Sequence, residues 1–569
     1  MASTSICSVH SLAQSCGALT SVLTASLGPH GTSVLMERDG KIIITKDGVD
    51  ILNSLQVDDP ILTMGIKCVL KFAREHGDGS KSGIILMKTL FNFMSNSNEI
   101  NTPTYQSHYK YGATTSTDRI NRINQIKCIR DIKSKMLPLI KTKFVLEYCD
   151  NMFTDDPLFR SVCENFIYTS LSTQLTGVVS GIFTDLLTSY IFSNSVDYLT
   201  TIKQAIENSN MVIFQVYKTP VSKSQVINGI ILSRDFKVLN NNISQKKSKF
   251  VLWSIPLLEN KNAMTSLPFI KSNDCHEFMS SILYKNVLLE NALQLLKTCK
   301  INALVSSEHF PDWAQATCRR HSIALVDMVQ ENEFTKLITE LKILPICCQS
   351  DLLNSRHHCS AMIALIQLGT SRFAHVTLPM SSQIVITGIT PTQCDQTTKA
   401  VIKTLKQLQY WFMDSHQLYE LQVKDTSKIL EEIPTLFRSR SKLYWCQCDS
   451  YAEIISSILL NNDDIFPCIK RKILSELLLS IPQILHGKAA QYSRPSFIKR
   501  VTTVQNFLLN DKKLVSSHFS SNFVQSPFQC YNIIDSVLQS AEMMLRIDSI
   551  ITSASSISHY KVENDENDE

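Results

Sequence analysis

Glycine and carboxylate residues recur together near the start of the chain, in Leu27-Gly28-Pro29, in Asp47-Gly48 and in Gly77-Asp78-Gly79-Ser80-Lys81. A glycine-rich turn that opens a helix offers backbone N–H groups and the positive end of the helix dipole, which suits an anion such as phosphate. The same residues have a plainer use: Gly48, Gly77 and Gly79 permit tight turns, and Asp47 and Asp78 cap helices. An isolated Gly-Asp-Gly is common, so these residues alone favour the plainer use. Two cysteine groupings could ligate a metal: Cys347 and Cys348 with His357, His358 and Cys359, and Cys446 with Cys448. A structural zinc site wants two spaced ligand pairs around a tetrahedron, and neither grouping supplies them, so packing is their expected role.

The elements around these residues can be read from periodicity. Leu12, Ala13, Cys16, Leu19, Val22 and Leu23 recur at three- and four-residue steps, which predicts an amphipathic helix over Val9 to Ala25, ended by Leu27-Gly28-Pro29. Two apolar runs, Ser33 to Met36 and Lys41 to Thr45, flank Arg38-Asp39-Gly40 and predict a hairpin. Lys46-Asp47-Gly48 turns the chain again, and Gly77 to Ser82 opens a helix through Ile84, Ile85, Leu86 and Leu90. The polar stretch Asn96 to Arg122 predicts an irregular insertion, followed by helical pattern from Ile123 to Ile191. β-branched runs at Met211 to Val216, Ile227 to Leu232 and Phe250 to Trp253 then predict a middle domain of mixed type. A helix over Glu277 to Thr298, the run Ala303 to Val305, a helix near Trp313 to Arg320 and the run Ile323 to Val326 read as βαβ alternation. Gln383 to Thr387 is a further strand, followed by a helix from Asp395 to Phe412 and a mainly helical remainder. The acidic end, residues 561–569, is expected to be disordered.

Composition bounds what these elements can build. At 569 residues the chain exceeds the size of a single core, so two to four domains are expected. With 44% hydrophobic and 19% charged residues it reads as globular, and a net charge of +5 without basic-aromatic alternation argues against nucleic-acid binding. Met1 to Cys16 lack the pattern of a secretory signal, and the apolar segments are interrupted too often to cross a bilayer, so a soluble intracellular protein without membrane insertion is expected. Seventeen cysteines without regular spacing suit reduced thiols better than a disulfide framework.

Taken in order, Leu27-Gly28-Pro29-His30-Gly31, Ile44-Thr45-Lys46-Asp47-Gly48 and Gly77-Asp78-Gly79 resemble the phosphate-binding series of the group II chaperonin family. Thr169-Ser170-Leu171-Ser172 looks like that family's entry to the intermediate domain, Val226 to Asp235 like the start of the apical domain, and Arg546 to Ile551 like the last equatorial helix. The resemblance implies an α+β multidomain chain: a mainly helical equatorial domain (1–146 and 413–560), a small intermediate hinge domain (147–213 and 375–412), an α/β apical domain (214–374) and the tail. It also implies a nucleotide site at Leu27, Gly28, Pro29, Asp47, Gly48, Gly77, Asp78, Gly79, Ser80 and Lys81, binding ATP and Mg²⁺. In that reading Asp78 holds the metal and Asp47, near the γ-phosphate, is the catalytic candidate.

Two departures matter. Lys403 stands where the family's hydrolysing members carry an Asp that positions or deprotonates water, and a lysine cannot accept that proton. The family's second glycine-rich turn is here Trp445-Cys446-Gln447-Cys448-Asp449-Ser450, without glycine. Efficient turnover is therefore not expected. The run from Glu476 through Ile481-Pro482 to Tyr492, Leu514-Val515-Ser516-Ser517, and Met544 to Asp548 are similar to the Bardet-Biedl branch of the family. That branch implies help in protein folding and in assembling the BBSome, the ciliary coat complex, for ciliogenesis. The implied partners are cytosolic chaperonin subunits, other Bardet-Biedl chaperonin-like proteins and BBSome subunits, and the implied location is the cytoplasm, the centrosome or the ciliary basal body. An active ATP-hydrolysing chaperonin subunit and a nucleotide-free interaction scaffold remain alternatives.

Overall fold

The computed structural model describes residues 3–6, 9–28, 31–38, 41–96, 113–154, 156–193, 198–239, 248–255, 257, 275–347, 351, 361–378, 381–427, 442–447, 450–461, 466–488, 497–499, 501–502, 504–506, 523–547 and 549–552. It opens with β1 (Ser3–Ile6), α1 (Val9–Ala25), β2 (Val34–Arg38), β3 (Lys41–Thr45), α2 (Gly48–Ser54), α3 (Pro60–His76) and α4 (Ser80–Asn96). Next, α5 (Ala113–Asp131) runs through a π-helical turn at Ile132–Met136 into α6 (Leu137–Tyr148), β4 (Asp150–Phe153) and α7 (Phe159–Ser172). The middle holds α8 (Gly177–Ser193), α9 (Tyr198–Glu207), α10 (Ser209–Val212), β5 (Ile213–Tyr217), β6 (Gln225–Asn228), β7 (Ile230–Leu232) and β8 (Ser248–Trp253). It continues with α11 (Cys275–Thr298), β9 (Ala303–Ser306), α12 (Asp312–Arg320), β10 (Ala324–Val326), α13 (Glu331–Leu341), β11 (Met362–Leu368), β12 (Ser371–Thr377) and β13 (Ser382–Gly388). The long α14 (Pro391–Ser427) is followed by β14 (Lys442–Gln447), α15 (Tyr451–Asn461), α16 (Cys468–Lys488), β15 (Val524–Gln525), α17 (Gln529–Leu545) and β16 (Ser549–Thr552).

These elements form two compact units, one from residues 1–174 with 406–569 and the other from residues 175–405. The first is mainly helical. Of the predicted apolar stripe of α1, Leu12, Ala13, Cys16, Leu19 and Leu23 are buried while Val22 is exposed, and the helix packs on α4, whose Ile84, Met87, Leu90 and Phe91 are fully covered. Each such side chain withdrawn from water contributes about 1.5–3 kcal/mol. Helix α4 also packs on α16, and α17 packs on α3 and α4. Pro60 sits in the first turn of α3, where its missing N–H costs nothing, and Asp59 caps that helix by accepting from Ile61 and Leu62 N–H. Trp411 of α14 is fully buried and donates to the Tyr444 carbonyl at 2.6 Å, tying α14 to β14.

The second unit carries a six-stranded sheet in the order β10-β9-β8-β11-β12-β7. Strands β8, β9 and β10 are parallel, with α11 and α12 as crossovers, whereas β11, β12 and β7 pair antiparallel. Alternate residues serve opposite faces: Phe250, Leu252, Val305 and Val326 enter one core, while Val251, Trp253, Leu304 and Leu325 enter another. A sheet covered on both faces explains why these strands read as continuous apolar runs. A second sheet, β5-β13-β6, places β13 parallel to β5, and its Ile384, Val385 and Ile386 are fully buried.

Two expectations need correction. The stretch Asn96 to Arg122 was expected to be irregular, yet α5 begins at Ala113, its N-terminal part rich in Thr and Ser. Arg546 to Ile551 was expected to continue the last helix. Instead α17 ends at Leu545 and Ser549–Thr552 forms β16, paired antiparallel with β1. β-branched Ile550 and Ile551 suit that extended backbone better than a helix. Residues 97–112, Tyr492, 514–517 and 561–569 lie outside the described residues.

Candidate functional site

In the first unit the glycine turns meet. The chain leaves α1 through Ser26 and Leu27, and Gly28 adopts φ +82°, a left-handed conformation that favours glycine. A β-carbon on Gly28 would also come within 2.8 Å of Leu485. Pro29 lies outside the described residues. In the second turn the Asp47 N–H donates to Thr45 Oγ1 at 2.9 Å, while Asp47 Oδ1 accepts from the Val49 N–H at 3.0 Å and caps α2. In the third, Gly77 ends α3 at φ +81° by donating to the Ala73 carbonyl at 2.9 Å, and Gly79 at φ +101° turns the chain into α4.

Two contacts bring the turns together. A β-carbon on Gly48 would lie 2.4 Å from Ser80 Oγ and 2.6 Å from Lys81 Cγ, so the second turn sits against the N-terminus of α4. Lys81 Nζ in turn donates to the Ser26 carbonyl at 2.5 Å and reaches the first turn. Gly83 N–H is bonded to the Gly79 carbonyl at 2.8 Å, so the first turn of α4 starts at the third glycine turn. Such a first turn fits a phosphate, and the exposed Asp78 carboxylate beside it is the oxygen ligand that Mg²⁺ prefers.

Asp78 also faces a narrow cleft lined by Phe72, His76, Gln407, Asp414 and Gln529. Gln529 Nε2 donates to Asp78 Oδ2 at 2.8 Å, and Gln407 Nε2 reaches the Gly77 carbonyl at 3.4 Å while its Oε1 accepts from Ser170 at 2.6 Å. His76 is stacked between Phe72 and Tyr410, with ring centroids 4.0 and 3.8 Å away. Burial pushes its pKa below the usual 6.5, against the opposing pull of the Phe72 carbonyl, Asp414 and Glu75. Further in, Asn532 donates to Asp414 at 2.8 Å and accepts from Lys141 at 3.1 Å.

Of the two uses open to the carboxylates, capping is realised at Asp47, while Asp78 is held across the cleft by Gln529. Sequence reasoning missed Gln407, Gln529 and the Lys81–Ser26 bond. They bridge 55 to 451 positions of sequence, and no local pattern marks them. Lys403 lies half-buried on α14 within the second unit. The glycine-free segment begins inside β14, which holds Trp445, Cys446 and Gln447; Cys448 and Asp449 lie outside the described residues, and Ser450 takes φ +60° without being glycine. Among the described residues no group of three or more His, Cys, Asp or Glu is arranged to hold a metal; Cys348, His357, His358, Cys359 and Cys448 lie outside them. Among the described residues, too, no helix is long and apolar enough to cross a membrane.

Residues 19–418 match the model of the TCP-1/cpn60 chaperonin family. The chain is 21% identical over 466 residues to the BBSome complex assembly protein BBS10 of Mus musculus, covering 77% of this chain and 63% of that protein. It is 22% identical over 448 residues to the Homo sapiens protein of the same name, covering 74% and 59%. The chain thus spans about three fifths of the length of these relatives. It is also 20% identical over 393 residues to thermosome subunit beta of Thermoplasma acidophilum, covering 68% and 67%.

Proposed function

The chain belongs to the TCP-1/cpn60 chaperonin family, and on that premise we propose that it is a chaperonin-like assembly protein that binds Mg-ATP without turning it over efficiently. The observation that carries this reading is the meeting of three glycine turns, with Gly48 against Ser80 and Lys81, and Lys81 bonded to Ser26. In this reading the first turn of α4 and Lys81 receive the phosphates and Asp78 anchors the metal. The bound nucleotide supplies the energy-rich phosphate and the metal neutralises its charge. By the family resemblance, Lys403 stands in the sequence where the hydrolysing members carry an Asp, and the loss of a carboxylate base is worth about 10²- to 10⁴-fold in rate.

The similarity to BBSome complex assembly proteins extends the proposal to partners and place. The protein assists BBSome assembly for ciliogenesis, in the cytoplasm or at the centrosome or basal body, with cytosolic chaperonin subunits and other Bardet-Biedl chaperonin-like proteins. The first unit, built from both ends of the chain, corresponds to the equatorial domain and the second to the apical domain. The hinge segments proposed at 147–213 and 375–412 do not separate as a unit of their own, and each spans a boundary between the two units.

A second reading, the nucleotide-free scaffold, is favoured by Asp47 being engaged as a cap and Asp78 by Gln529. Measuring binding and turnover separately on the purified chain distinguishes them. The proposal expects saturable Mg-ATP binding, weakened at least several-fold by Asp78→Ala, with phosphate release near background. No binding would leave the scaffold, and steady Asp78-dependent phosphate release would make the chain an active ATPase.

A further inference from the structure

One pair of thiols in the first unit has no part in the proposed nucleotide site. Strand β14 pairs antiparallel with β4, with Leu443 opposite Met152 and Trp445 opposite Asp150. Continuing that register by one residue sets Cys446 opposite Cys149, whose backbone is still extended at φ −97°, ψ 143°. Residues directly opposite on antiparallel strands point to the same face, with β-carbons about 4.5–5.5 Å apart. A disulfide needs about 3.5–4.5 Å, so a small closing movement is enough. Both thiols are nearly covered, at 8% and 9% exposure, and they lie against each other. Cys446 is held from its other side by the Gln525 carbonyl of β15 at 3.7 Å. Cys530 of α17 and the Glu453 carboxylate of α15 complete the surroundings.

We infer that Cys149 and Cys446 are a site of reversible oxidation, forming a cross-strand disulfide that ties the end of α6 to β14. With an azo oxidant the balance is complete. One thiolate adds to the N=N bond, the second displaces nitrogen from that sulfur, and the sulfur–sulfur bond forms as the azo compound leaves as its hydrazine with two protons and two electrons. A peroxide would leave as water and a small disulfide as two thiols. The contact with Cys149 and burial hold the Cys446 thiol well above its ordinary pKa, which disfavours attack from that sulfur. The link joins residues far apart in sequence and restricts the unfolded chain accordingly.

The test treats the folded full chain with diamide, alkylates the remaining thiols, and maps peptides before and after dithiothreitol. The expected result is one cross-linked pair containing Cys149 and Cys446, released by dithiothreitol, with a higher urea midpoint in the oxidised chain. Cys530→Ser should keep the link and Cys446→Ser should abolish it. Separate alkylated peptides for Cys149 and Cys446 after prolonged oxidation, or preferential linkage of Cys446 to Cys530, would overturn the assignment. The wild-type map decides this even where a variant fails to fold.

Discussion

At Gly48 and His76 the packing around single residues makes measurable demands. Gly48 has no room for a side chain, because a methyl group there meets Ser80 and Lys81 well inside contact distance. Gly48→Ala should force α2 away from α4, with a cost of about 1–3 kcal/mol in urea unfolding, and should weaken Mg-ATP binding as well. His76 gives a pH dependence. Its folded-state pKa lies below the 6.5 of an unperturbed imidazole, so the unfolded chain binds the proton more readily. The stabilisation is present above about 6.5 and is lost as pH falls below that value towards the folded pKa. His76→Phe keeps a ring between Phe72 and Tyr410 and removes the titration. The wild-type chain should therefore lose more stability between pH 7.5 and 5.5 than the variant, as read by urea midpoints. Equal losses would assign the acid sensitivity to other groups.

At the scale of elements, legibility followed how local the cause was. The span of α1 could be read because its stripe buries one face on α4, and the β2–β3 hairpin because Asp39-Gly40 breaks two apolar runs. Strands β8, β9 and β10 were legible as short apolar runs for the opposite reason, since both their faces are covered. The end of the chain misled, because β16 becomes a strand only through pairing with β1 at the other terminus. The same holds for the candidate site: Gly28, Asp47, Gly77 and Gly79 could be picked out by type and spacing, but not the amides of Gln407 and Gln529, carried by distant helices. The turn between β14 and α15 was expected to suffer from its lack of glycine. Its backbone takes the left-handed conformation at Ser450 all the same. That conformation costs a non-glycine residue about 1–2 kcal/mol, and glycine returns about 0.5–1 kcal/mol of that as unfolded-state entropy. Ser450→Gly should therefore stabilise the chain by up to about 1.5 kcal/mol, and Ser450→Val should destabilise it, both measured by urea unfolding. Destabilisation by glycine would show that the Ser450 side chain contributes more than the backbone strain costs.

For the whole molecule the question is what the chain assembles with. Two small sheets of the first unit are unlike its interior. The β2–β3 hairpin shows Leu35, Ile42 and Ile44 at 66%, 71% and 54% exposure, with Leu35 directly opposite Ile44. Among the described residues the β1–β16 pair is a sheet of two strands. Two-stranded sheets are marginal alone in water, and an apolar hairpin face gains from cover. Both features favour association with another subunit, which the proposed partnership with cytosolic chaperonin subunits supplies. Self-association into a closed ring asks for more. Every copy must meet the next at one fixed rotation, and small errors at each heterologous contact accumulate until the ring cannot shut. The strained, non-glycine Ser450 and the turns of the proposed nucleotide site both belong to the first unit, which by the proposed reading would set that rotation. The expected species is a monomer when the chain is alone and a heteromeric complex when chaperonin subunits are present. Ile42→Asp should weaken co-purification with those subunits while leaving the urea midpoint within about 0.5 kcal/mol, as for other surface substitutions. Mass measurement in solution with and without Mg-ATP gives the decisive reading. A closed particle made only of this chain would refute the prediction and favour an active chaperonin that needs no partner subunits.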